Sequence, residues 1–139
     1  MNNRTPSSGW PVQDPAAPST PCSDDLLRSY AITNDQLTSN ASSTTKFENP
    51  GATPSVSANG NKNAIVWAIT TKVWNGADTK PAVLYAFDAT KLGAPIYTSE
   101  QNSQRDRAAF ATRFVIPIVI NGRVYFAARG EVEVYGLLK

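Results

Sequence analysis

The chain has no histidine and one cysteine among its 139 residues. Without imidazole it lacks the commonest general base and the commonest metal ligand. Zinc sites of the Cys/His type and histidine-dependent Ser or Cys nucleophiles therefore cannot be built within it. Cys22 alone cannot form an intrachain disulfide. Charge is also scarce, at 17% of residues with a net of +2, and no dense Lys/Arg run points to nucleic acid. No apolar stretch approaches the roughly 20 residues of a membrane-spanning helix. Met1-Asn-Asn-Arg-Thr-Pro6 is polar and leads into no apolar segment, so the sequence as written is not expected to carry a signal peptide.

Proline is plentiful but unevenly placed, with five of ten in residues 1–25. Proline removes backbone donors and pins φ. Those residues, rich also in Ser, Thr and Asn, are expected to form an extended or disordered arm with Trp10 as its only apolar nucleus. From Leu26 onward the signals are those of β structure. Leu26–Ile32 is a strand candidate, with a short helix over Asp24–Tyr30 as the alternative. Thr33-Asn-Asp-Gln36 reads as a turn, and Leu37–Phe47 as an exposed, edge-like strand. Ala64–Ile69 and Ala82–Phe87 are continuous apolar runs of strand length, expected to be buried on both faces. Ala94–Thr98 is a short strand whose Pro95 suits only an edge. Residues 99–113 are polar and read as a long loop. In Phe114–Phe126, β-branched and aromatic runs flank Asn121-Gly122, a two-residue hairpin signal, and Glu131–Tyr135 alternates strictly.

The hairpin has an echo. Pro54-x-Val56 leading to Asn59-Gly60 matches Pro117-x-Val119 leading to Asn121-Gly122, Val66-Trp67 matches Val124-Tyr125, and Leu84–Phe87 matches Val134–Leu137. Leu27–Tyr30 resembles that last element again. The separations are 63 residues from Pro54 to Pro117, 57 from Leu27 to Leu84 and 50 from Leu84 to Val134. These lie in or slightly above the range of four-stranded propeller blades, although an all-β sandwich offers the same turns. The fold expected is all-β: a partial β-propeller of about two blades of four-stranded antiparallel sheets. Residues 26–47 would end one blade, 52–100 form a full blade, and 113–138 form an incomplete last blade.

Thr53–Gly60, Ile65-Val-Trp67, Val83–Ala89, Arg105-Asp106, Pro117–Tyr125 and Glu131–Leu138 together resemble the C-terminal part of bacterial pyrroloquinoline quinone (PQQ)-like β-propeller repeat proteins. The resemblance covers roughly Leu26 to Leu138. It implies an exported parent, periplasmic or secreted, of which this chain is a fragment that needs the missing blades or associates with itself through exposed strand edges. Where the family repeat continues with a Thr-Gly-Lys-like turn and a Trp, this chain has Thr90-Lys-Leu-Gly93 and Tyr97. That departure weakens any implication of bound cofactor, and PQQ enters by resemblance alone.

Arg105, Asp106, Arg107 and Arg113 form the densest charge group. They suit either an anion site built on guanidinium forks or a structural Arg–Asp pair pinning a loop, the reading we favour. Trp74, in the expected loop Lys72–Pro81, is the aromatic best placed to stack on a sugar. Asp88 reads as a turn cap, and Glu131 and Glu133 as a solvated strand face. The residues fit a non-catalytic propeller scaffold or binding surface. The rivals are part of a quinoprotein dehydrogenase and a carbohydrate- or cell-wall-binding module.

Overall fold

The computed structural model describes residues 25–48, 51–70 and 80–136. The proline-rich arm before Asp25, and Trp74 with the loop around it, lie outside the described residues. Within them the chain is all-β, as the sequence predicts: nine strands and one short helix.

Strands β1 (Asp25–Thr33) and β2 (Gln36–Phe47) form a hairpin. Its turn residues Asn34 and Asp35 have φ of 51° and 61°, the sign that a type I′ turn demands and that Asn and Asp tolerate. Strand, not helix, therefore holds Asp25–Tyr30. A register shift between Leu26 and Arg28 interrupts the ladder, and the Leu27 amide donates to the buried Ser43 hydroxyl instead, at 3.0 Å. Ser43 passes its own proton to the Thr45 carbonyl, so the bulge leaves neither group unsatisfied.

Strands β3 (Ser55–Asn59), β4 (Lys62–Thr70), β5 (Val83–Asp88) and β6 (Leu92–Thr98) run as one antiparallel meander. After α1 (Ser103–Asp106), strands β7 (Ile118–Ile120), β8 (Arg123–Ala128) and β9 (Glu131–Gly136) make a second, three-stranded meander. Asn121 and Gly122 both take positive φ, 50° and 73°, as their hairpin turn requires. In the earlier copy the tight turn is Gly60-Asn61, closed by Asn59 opposite Lys62. The extra residue shifts the turn by one, and glycine takes the positive φ of 58°.

One feature departs from separate four-stranded sheets. The hairpin joins the middle meander through a parallel bridge between Ser43 and Gly93, giving a curled six-stranded sheet of order β1-β2-β6-β5-β4-β3. The link is slight, with Thr44 Oγ1 donating to the Gly93 carbonyl at 3.4 Å. It also resolves the placing of Pro95. Proline cannot donate to a ladder, and β2 pairs with β6 only at Gly93, so no ladder bond is asked of Pro95 on that side.

Two apolar clusters lie on opposite faces of the middle meander. On one, Val66, Ala68, Phe87 and Leu92 pack with Phe47 of β2, supported by Leu27, Ala41 and Tyr85. Phe47 meets Tyr85 and Phe87 edge-on at 5.6 and 6.3 Å, a favourable ring geometry. On the other, Ile69 and Leu84 pack with Val124 and Phe126 of β8, with Trp67, Tyr97, Val119 and Tyr135 at the margin. The strand period of two explains both: within β4, Val66 and Ala68 face the hairpin while Trp67 and Ile69 face the last sheet. Burial of Leu84, Phe87 and Ile69, each 2% exposed or less, contributes about 2 kcal/mol apiece.

Candidate functional site

The polar loop 99–113 holds the densest group of titratable side chains, and its backbone is fastened to three elements. Ser99, buried, accepts from the Leu84 amide through its hydroxyl and donates its own amide to the Leu84 carbonyl. Further along, the Ala82 amide donates to the Ala109 carbonyl, the Ala111 amide to the Lys80 carbonyl, and the Arg129 amide to the Phe110 carbonyl. The loop thus runs back beside the start of β5 and reaches the β8–β9 turn.

Asp106 sits at the meeting point of the two meanders. Arg105 grips its carboxylate side-on, Nε to Oδ1 and Nη2 to Oδ2, the latter at 2.6 Å. Tyr97 of β6 donates to Oδ2 at 3.1 Å, and Tyr135 of β9 donates to the Asp106 carbonyl at 2.8 Å. Asp106 is nearly covered, its side chain 11% exposed against 50% for Arg105. The Arg105 guanidinium holds the Asp106 carboxyl below the usual carboxylate range, helped by the Tyr97 hydroxyl and opposed by desolvation. Burial pushes the Tyr97 phenol up to about 12, the neighbouring carboxylate adding to it. Tyr135 is raised as well, mainly by burial and then by the charge of Glu133. Both carboxylate oxygens are engaged in charge-assisted bonds, so Asp106 is a fastening point.

Of the site residues expected from sequence, Arg105 and Asp106 come together. Arg113 lies farther along the loop and is partly buried, with desolvation lowering its pKa. Trp74 lies outside the described residues. The two tyrosines that complete the Asp106 cluster were not singled out with it, because they come from different sheets and are 38 residues apart in sequence, at 97 and 135. The expectation for Glu133 needs correction: its Oε1 accepts from the Ala109 amide at 2.6 Å. It faces the loop, not solvent, because odd positions of β9 point inward with Tyr135. Asp88 caps its turn, accepting from the Thr90 amide and hydroxyl at 2.9 and 2.6 Å.

The resemblance implies quinone and calcium as groups to be held. Among the described residues no group of three or more Asp, Glu or Cys side chains could hold a metal ion, and the most buried carboxylate of the loop is already committed to Arg105 and Tyr97. The described residues supply no carboxylate cage for calcium. Among them, too, no helix is long and apolar enough to cross a membrane. No family model matches the sequence, and no curated protein or solved structure matches it. The PQQ-like resemblance therefore rests on the quoted residues themselves.

Proposed function

We propose that the chain is part of a PQQ-like β-propeller and serves as a non-catalytic scaffold or binding surface, outside the cytoplasm like the proteins it resembles. One observation carries this reading. Residues matched by the internal repeat fall on matching faces of successive layers. Leu27 and Leu84 each point toward the following layer, into the clusters they share with the middle and last sheets respectively. Val66 and its counterpart Val124 each point back toward the preceding layer. A repeat that conserves facing as well as spacing is what stacked blades require, each burying one face on either neighbour. In that setting the Asp106 cluster is a rivet between two layers. The reading predicts no saturable change in quinone absorbance when the chain is titrated with PQQ and calcium. A saturable change, with dye-linked dehydrogenase activity, would overturn it in favour of a quinoprotein enzyme.

A further inference from the structure

The last sheet has an outer face with the composition of an inner one. Ile118, Ile120, Val132 and Val134 are 55, 54, 65 and 51% exposed, and the register aligns Ile118, Tyr125 and Val134 across all three strands. By the repeat, Val134 and Tyr125 correspond to Leu84 and Trp67, which the last sheet itself covers. At the other end, the outer part of the hairpin, residues 30–40, is exposed throughout. Tyr30, Ile32 and Leu37 are 51, 73 and 60% exposed, with Ile32 opposite Leu37. Tyr30 corresponds to Phe87, a residue that faces the preceding layer. Among the described residues, the last sheet leaves its forward face uncovered and the hairpin leaves its backward face uncovered.

We infer that the occupant of the outer face of β7–β9 is the β1–β2 hairpin of a second copy of this chain, joined head to tail. The inference rests on the layered-repeat reading above. Size argues for a closed pair in place of two like faces meeting. A three-stranded face six residues long has a projected area of about 300 Å², well short of the roughly 800 Å² per partner of a stable complex. A head-to-tail pair uses two such faces on every copy, about 600 Å², nearer that figure, and closes on itself.

Sedimentation velocity on the full chain tests this. The expected species is a dimer, twice the 15.0 kDa chain mass. Val134→Lys and Ile32→Lys should each weaken it by about tenfold or more, since each places a charge in the contact, while circular dichroism confirms that both remain folded. Loss of dimer with Val134→Lys alone would mean that two C-terminal sheets meet, and loss with Ile32→Lys alone that two hairpins meet; either overturns the head-to-tail contact. A second measurement is independent of charge. In a Cys22→Ser background, mixing Ile32→Cys and Val134→Cys chains should give the mixed disulfide and neither homodisulfide. A wild-type monomer at every concentration overturns the inference and leaves the scaffold reading standing. Quinone binding would overturn the scaffold reading whatever the mass.

Discussion

The middle and last meanders are built from the same sequence pattern and live in different surroundings. The middle one, β3–β6, is covered on both faces along its central strands β4 and β5; the last one, β7–β9, on one. In the middle sheet Leu84 and Phe87, on opposite faces, are both fully buried. In the last sheet Val124 and Phe126 are buried while Ile118 and Val134 on the other face stay half exposed. The difference teaches that apolar alternation in a strand marks a face suited to a neighbour, whether or not the described residues cover it.

Truncation of core residues should separate the two meanders most widely. Phe87→Ala, which removes a ring touching Phe47 and Tyr85, should cost about 4 kcal/mol in urea denaturation. Ile118→Ala in the last sheet should cost less than about 1 kcal/mol in the monomer, because water already reaches that side chain. Equal losses would break the comparison.

Smaller effects are expected at the rivet and the turn. Tyr135→Phe removes a bond between β9 and the Asp106 carbonyl and should lower stability by about 1 kcal/mol. The loss should appear as faster amide exchange in β9 before β4. Gly122→Ala forces a methyl group into a residue with φ of 73°, at about 1 kcal/mol, with no effect expected on the middle meander.

The least of these effects are set by pH. Asp106 has a folded pKa below its ordinary value, so its contribution is present above the unfolded pKa near 4 and is lost as pH falls through the lower folded value. The Asp106→Asn variant should lose that acid slope in thermal melts. Tyr97, raised to about 12, contributes fully below the ordinary phenol value near 10 and loses that contribution as pH rises toward 12. Tyr97→Phe should flatten the alkaline limb.

The strands were legible in sequence because each carries its own cue. The Asn121-Gly122 turn, the run Ala64–Ile69 and the alternation of Glu131–Tyr135 all lie where the chain reads as strand or turn. Three features were not legible, each for a tertiary reason. Helix α1 spans four residues, too few for a periodic pattern or for stability by itself, and Asp106 anchors it through Tyr97 and Tyr135. The attachment of the hairpin to β6 at Gly93 depends on one bridge that no local preference encodes. Of the candidate site, the adjacent Arg105–Asp106 pair could be read directly, whereas the inward turn of Glu133 depends on where a distant loop lies.

The account turns on equivalent positions, covered in one layer and bare in the next, and one measurement bears on it most directly. Leu84→Lys and Val134→Lys can be compared by chemical denaturation at concentrations low enough to keep the chain monomeric. Leu84→Lys should prevent folding, since it buries an unpaired charge between the two meanders. Val134→Lys should fold with stability within about 0.5 kcal/mol of the parent. If Val134→Lys proves as damaging as Leu84→Lys, the outer face of the last sheet is covered within a single chain, and the layered account is contradicted.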